Sequence, residues 1–389
     1  MARIVVVGGG FAGYSALKTF REKRLTDSHE IVLIDPSPRF VYLPSLPYLL
    51  SGKKSIDDIS EPFSTIARRL GFNYVRGAVY RVVTADKKVH LEDGSTIAYD
   101  YLLITAGARP EFYNIPGADK TYAAWRLGHY IKLAEALREA NSAAVIGGGL
   151  TGVEVAGELA EKLGPGNITI IEKMERLVPF LNNRRASEKA RLFLEEKGLN
   201  VVTGKGVTMV EGGKKVVLEG GERLEADLVV WTVGIRAVRI EFDKEPERAG
   251  RGWLKVDGQM RVIGLRDVYA AGDITAYKYN NGFSSKMAEE AILQGRVAAL
   301  NIASKILGKG GGTEHKPIFT TERPKTLFSL GFNRGLLVWN RIVHFGRFPY
   351  TAKMTIEHIV MSDVKGRPLG SLLARLEVAT IKLLNRVLG

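Results

Sequence analysis

Residues 4–13 read Ile4-Val5-Val6-Val7-Gly8-Gly9-Gly10-Phe11-Ala12-Gly13, and residues 143–152 read Ala143-Ala144-Val145-Ile146-Gly147-Gly148-Gly149-Leu150-Thr151-Gly152. Each stretch is an apolar, strand-forming run that ends in a glycine turn and opens an alanine-rich amphipathic stretch with helical spacing. In this context three glycines hold a dinucleotide: the first makes the tight turn, the second admits a pyrophosphate to backbone N–H groups, and the third lets helix pack on strand. The helix N-terminus then faces two negative charges.

One such glycine run is a weak signal, so each copy needs an acidic residue about 20 residues later, at the end of the next strand. Both copies have one. Glu30-Ile31-Val32-Leu33-Ile34 ends in Asp35, and Asn167-Ile168-Thr169-Ile170-Ile171 ends in Glu172, where a carboxylate can accept from ribose hydroxyls. The duplication runs further: Leu102-Leu103-Ile104-Thr105-Ala106-Gly107 is echoed by Val229-Val230-Trp231-Thr232-Val233-Gly234, a buried-strand pattern ending in Thr-x-Gly. Two nucleotides bound at once is the reading that follows.

At 389 residues the chain has room for two or three domains with buried cores. No apolar run reaches the length of a membrane-spanning helix. The first strand begins at Ile4, which leaves no room for a signal peptide, so the chain is expected to remain in the cytoplasm. Cysteine is absent altogether, which excludes disulfide relays, thiolate nucleophiles, iron–sulfur clusters and thiolate zinc sites. The six histidines (His29, His90, His129, His315, His344, His358) lack metal-ligand spacing, and no metal is expected. The formal charge is +14, and residues 316–389 hold 12 Lys and Arg against 4 Asp and Glu. Such a balance suits an anionic partner or a solvated basic surface. No nucleic-acid-binding motif accompanies it, so nucleic acid is not expected as a partner.

The first lobe reaches to about Ile115, with short strands at 73–75, 80–84, 88–92 and 101–105 and an Asp93-Gly94 hairpin turn. A second unit from about Tyr122 to Val238 repeats the order, with hairpin strands around Gly212-Gly213 and Gly220-Gly221. Val268-Tyr269-Ala270-Ala271-Gly272-Asp273, followed by a helix from Lys286 to about Leu307, is too small to stand alone and is expected to complete the first lobe. Beyond the glycine-rich linker 308–312, residues 326–332 and 338–345 read as strands and 369–388 as a helix. Its leucines recur at helical spacing with Arg375, Lys382 and Arg386 among them. Two readings of that helix stay open: attachment to a membrane interface, or packing on its own domain or on a second copy of the chain.

These residues resemble the flavoproteins with two dinucleotide-binding domains, in which an FAD domain is interrupted by an NAD domain. The resemblance rests on Gly8, Gly10 and Gly13 with Asp35, on 105–110, on Gly147, Gly149 and Gly152 with Glu154 and Glu172, and on 268–273. It implies an α/β fold with two Rossmann-like domains and a C-terminal α+β segment for a membrane or a dimer. The corresponding divisions are 1–115 and 239–312 for FAD, 116–238 for NAD(H) and 313–389 for the C-terminal domain. Within that superfamily residues 147–160 are similar to the type II NADH:quinone oxidoreductases. Residues 40–47 look more like the sulfide:quinone oxidoreductases, whose cysteines this chain lacks.

The resemblance implies FAD and NADH as cofactors, a quinone as acceptor, and a peripheral place at the cytoplasmic face of the cell membrane. The alternatives are a soluble NAD(P)H oxidase or ferredoxin-type reductase, and a non-turnover NADH-binding flavoprotein that acts by partner binding. Candidate catalytic side chains are Glu154, which the family places near the nicotinamide, and Glu289 and Lys286. Type II enzymes carry A-Q-x-A-x-Q where this chain has Ala288-Glu289-Glu290-Ala291-Ile292-Leu293, with Gln294 one place late. Glu289 can replace the first glutamine as an acceptor and proton source, or be a solvated helix face. Candidate contacts to FAD are Gly8, Gly10, Phe11, Ala12, Gly13, Asp35, Arg39, Val79, Ala106, Gly107, Gly272, Asp273 and Ala288. Those to NADH are Gly147, Gly149, Gly152, Glu172 and Gly234. Glu172 favours NADH because it repels a 2′-phosphate, although Lys173 and Arg176 lie nearby.

Overall fold

The computed structural model describes residues 1–322 and 325–368. They form two compact units, each assembled from separated stretches of chain: 1–41, 61–109 and 236–322 in the first, and 42–60, 110–235 and 325–368 in the second. The expected division near 312 and the placing of 42–60 differ from this, because of contacts between separated stretches of chain. The side chain of Asn301 takes the Thr313 N–H at 2.7 Å and Glu290 takes those of Ile318 and Phe319, which ties the stretch after the glycine linker to the first unit. Residues 42–60 join the second unit because the short helix Tyr48–Ser51 packs on the helix Leu150–Leu163.

Both units are built on the same five-stranded parallel sheet. In the first the order is Val268–Ala270, Tyr101–Ile104, Arg3–Val7, Glu30–Asp35, Asn73–Arg76. In the second it is Tyr122–Ala123, Leu228–Trp231, Ala143–Ile146, Ile168–Glu172, Asn200–Thr203. The glycine-bearing strand is central in each, with its acid-bearing strand on one side and its Thr-x-Gly strand on the other. These central strands are almost wholly apolar because a parallel sheet is covered on both faces. One covering layer in the second unit is the antiparallel trio Val207–Glu211, Lys215–Leu218 and Arg223–Glu225, whose Val210, Val216 and Leu218 pack with Ala144, Ile146, Val229 and Trp231. In the first unit the helices Phe11–Glu22 and Ala288–Ile306 cross so closely that a Cβ on Gly295 would lie 2.1 Å from the Ala12 carbonyl oxygen.

The stretch after residue 325 departs from expectation twice. Three strands form, Lys325–Ser329, Gly335–Trp339 and Ile342–Gly346, instead of two. The expected run 326–332 stops at Ser329, ahead of Gly331, Phe332 and Asn333 with φ of 76°, 53° and 52°, and the expected run 338–345 breaks into two strands at Asn340, with φ of 55°. An 18-residue helix, Arg347–Val364, then follows where none was expected. Its buried positions include Pro349, Lys353, Glu357 and Met361, so the inward stripe at spacing four carries two charges and escapes a search for apolar periodicity. The expected helix over 369–388 lies outside the described residues. Among the described residues no helix is long and apolar enough to cross a membrane.

Candidate functional site

In the first unit Gly8 has φ +105°, and a Cβ there would meet the Thr105 carbonyl oxygen at 2.4 Å; a Cβ on Gly13 would lie 2.0 Å from the Gly8 oxygen. Glycine is required at both because backbone packs on backbone. Gly10 is different: nothing lies within 4 Å of its Cβ position. The turn is thus closed toward the protein and open at its second glycine, where a pyrophosphate needs room. Gly10 caps the 12-residue helix Phe11–Glu22 with no side chain bonded to the cap. The Thr105 hydroxyl donates to the Gly8 carbonyl at 2.6 Å and to that of Val7 at 3.1 Å, which gives the Thr-x-Gly echo a physical role: it pins the glycine turn to the neighbouring strand.

Some of the other candidates of this unit lie beside the same turn. Asp35 accepts from the N–H groups of Gly9 (2.6 Å) and Ser37 (2.7 Å), and Ala106 follows the pinning threonine. Phe11 packs edge-on against Phe40 at 5.6 Å, and the Ala12 methyl would lie 3.1 Å from a Cβ on Gly272. Gly107 turns the chain with φ +70°, while Arg39 begins a short strand and Val79 opens an antiparallel one.

Gln294, the glutamine one place late, takes the Gly272 N–H at 2.8 Å and the Thr275 hydroxyl at 3.2 Å, so it braces the loop that carries Asp273. Burial pushes the Asp273 carboxyl up, opposed by Lys286. Lys286 precedes the helix, which starts at Ala288, rather than beginning it. Its ammonium bonds to the Thr275 carbonyl and lies 4.4 Å from the centre of the Trp253 ring. Burial brings its pKa down to about 8 against the pull of Asp273.

One oxygen of Glu289 is buried with no hydrogen-bond partner, and burial raises this carboxyl, with Glu290 adding to the effect. Glu290 itself, which the sequence did not single out, is fully buried and accepts from the Ser284 hydroxyl and the Ile318 and Phe319 N–H groups, with His315 Nε2 at 2.9 Å.

The Lys286 shift has a consequence for stability. Between about pH 8 and the ordinary lysine range the unfolded chain keeps a proton that folded Lys286 has released, so this group makes stability rise with pH across that window. Urea midpoints from about pH 7.5 to about pH 9.5 are expected to climb more steeply in wild type than in Lys286→Met. Equal slopes would overturn the assignment.

The second unit repeats the turn. Gly147 has φ +103°, a Cβ on Gly152 would lie 1.8 Å from the Gly147 oxygen, and Gly149 is again open, with nothing within 4 Å. Thr232 donates to the Ile146 and Gly147 carbonyls at 2.8 and 3.1 Å, as Thr105 does in the other copy. Glu172 accepts from the Gly148 N–H at 2.7 Å and that of Met174 at 2.9 Å, and is buried. Gly234 has φ +67°, and a Cβ there would strike the Tyr113 ring and hydroxyl.

Glu154 is buried one turn into the helix Leu150–Leu163. It accepts from the Ser329 N–H at 2.9 Å and pairs with the Lys353 ammonium. Further along the same helix, fully buried Glu158 bonds to the Ser51 hydroxyl and to Lys53, and Glu161 pairs with Lys53 and accepts the Phe332 N–H. Burial raises the Glu158 carboxyl against Ser51 and Lys53. Tyr48 lies between the two lysines, its ring centre 5.1 Å from the Lys353 ammonium and 6.0 Å from that of Lys53. Lys353 lies 199 positions from Glu154 in sequence, and no local pattern marks it.

The sequence pattern of the pyridine nucleotide-disulphide oxidoreductases matches residues 2–298. Among curated relatives, the demethylphylloquinone reductase NdbB of Synechocystis sp. is 29% identical, over 79% of this chain and 80% of that protein. An alternative NAD(P)H-ubiquinone oxidoreductase C1 of Arabidopsis thaliana is 28% identical over 72% of this chain; the chain spans only 62% of that relative. Among solved structures, NDH2 of Plasmodium falciparum in complex with NADH shares the fold with a TM-score of 0.75 at 19% identity, over 92% of this chain and 94% of that one.

Proposed function

Because the chain belongs to the pyridine nucleotide-disulphide oxidoreductase family, we propose that it is an FAD-dependent NADH dehydrogenase that passes electrons to a quinone. The disulphide half of the family name does not apply, since the chain has no cysteine. The observation that carries the reading is the twice-built glycine cradle, closed by its first and third glycines and open at its second in both units. FAD, when bound, accepts two electrons from NADH and hands them on.

The chain's own residues bind and orient. Gly8, Gly10 and Gly13 cradle the FAD pyrophosphate at a helix N-terminus, and Asp35 holds its ribose. Asp273, in the loop braced by the Gln294 bond to Gly272, would hold the ribityl chain. The N-terminus of the 19-residue helix from Ala288 would offer its positive end to negative charge on the bound flavin. Gly147, Gly149 and Gly152 take the NADH pyrophosphate and Glu172 its ribose, with Glu154 near the nicotinamide. The names of the relatives in Synechocystis and Arabidopsis support a quinone as acceptor. The leucine-rich basic stretch 369–388 supports attachment to a membrane surface, the alternative being that it packs on its own domain or on a second copy of the chain.

The test is purified protein given NADH and three acceptors: a short-chain quinone, oxygen and a small redox protein. The protein is expected to be yellow with noncovalent FAD and to turn over fastest with the quinone. Turnover with oxygen or the redox protein alone would assign it to the soluble oxidases or reductases, and flavin reduction without turnover would make it a binding protein.

A further inference from the structure

The strand that bears Glu172 ends beside two lysines, and each is held by a glutamate of a single turn. Lys173 Nζ lies 3.2 Å from a Glu219 oxygen, and Lys205 pairs with Glu222. Both lysines belong to the ribose edge of the second unit: Lys173 follows Glu172 directly, and the Lys205 N–H donates to the Glu172 carbonyl at 3.3 Å. The glutamates come from the turn after the strand Lys215–Leu218, where Gly220 and Gly221 take φ of 89° and 84°.

Glu219 is a fixed partner rather than a loose surface carboxylate. Its N–H donates to the Gly206 carbonyl at 2.8 Å, and its second oxygen accepts the Gly206 N–H at 3.2 Å. The Gly206 N–H, with Lys173, holds this carboxyl below the usual range, so it stays charged.

We propose that the Glu219–Glu222 turn shifts the choice between NADH and NADPH by occupying Lys173 and Lys205, two cations of the ribose edge that could receive a 2′-phosphate. This rests on Glu172 marking the ribose of the donor site. A dinucleotide with a free 2′-hydroxyl needs only Glu172, whereas a 2′-phosphate brings about two negative charges to a rim whose two lysines already have carboxylate partners. Releasing the lysines turns the rim basic without touching Glu172. The pairs are well exposed, so water and salt screen them and the change is modest.

The experiment uses the full chain with its flavin and two ligands that carry no hydride, ADP-ribose and its 2′-phosphorylated form, with calorimetric affinities as the readout. In Glu219→Gln/Glu222→Gln the phosphorylated ligand is expected to bind roughly five- to tenfold more tightly than in wild type, with ADP-ribose unchanged. The gain should fade at about 0.5 M salt. It should also vanish when Lys173→Met and Lys205→Met are added. An unchanged affinity for the phosphorylated ligand, or an equal gain for both ligands, overturns the proposal. Wild type that binds neither ligand overturns the donor-site reading and this proposal with it.

Discussion

Gly13→Ala is expected to give colourless protein, and Gly152→Ala yellow protein whose flavin NADH reduces at least about 100-fold more slowly. The added methyl would stand 2.0 Å from the Gly8 oxygen in the first case and 1.8 Å from the Gly147 oxygen in the second, closer than any real contact. Each helix must therefore back away from its strand, and the N–H groups aimed at the pyrophosphate move with it. The two copies are chemically alike, so the pair of variants separates their roles. Gly10→Ala and Gly149→Ala supply the control, because neither methyl meets a protein atom within 4 Å. Those proteins should fold with wild-type melting behaviour, and any loss of flavin or of NADH reduction in them reports contact with the nucleotide itself. Absorbance at the flavin band and stopped-flow reduction by NADH provide the readouts. Colourless Gly152→Ala beside yellow Gly13→Ala would reverse the assignment of the two sites.

The second large effect is expected at Lys353. Its ammonium is buried against Glu154, which also takes the Ser329 N–H. Lys353→Met leaves a buried carboxylate without its cation, a change that typically costs about 3–5 kcal/mol. The urea midpoint should fall accordingly, and Lys353→Met/Glu154→Gln should recover much of the loss because no unpaired charge is left. A Lys353→Met unfolding free energy within about 0.5 kcal/mol of wild type would show that the pair contributes little. The same variant tests Glu154 as a nicotinamide neighbour: if Lys353 positions it, NADH reduction of the flavin slows even where the protein remains folded.

The sequence by itself determined the two glycine turns, the strands before them, the acids that close them, and hence the class of the fold and the kind of ligand. Those features are local. A positive φ, a backbone contact across five residues and an alternation of apolar positions are all written within one strand, turn and helix. It also marked the Thr-x-Gly repeats, though only the structure shows each threonine donating to the carbonyl of the first glycine.

Tertiary structure alone decided the rest. Residues 42–60 and 325–368 join the second unit through Glu154, Glu158 and Glu161, whose partners Ser51, Lys53, Ser329, Phe332 and Lys353 lie 105 to 199 positions away. The helix Arg347–Val364 hides from pattern reading because its inward face carries Lys353 and Glu357, residues that read as solvent-facing until their buried partners are known. Charge placed inward is stable only when another part of the chain answers it, and that answer is a property of the folded molecule rather than of any window of sequence.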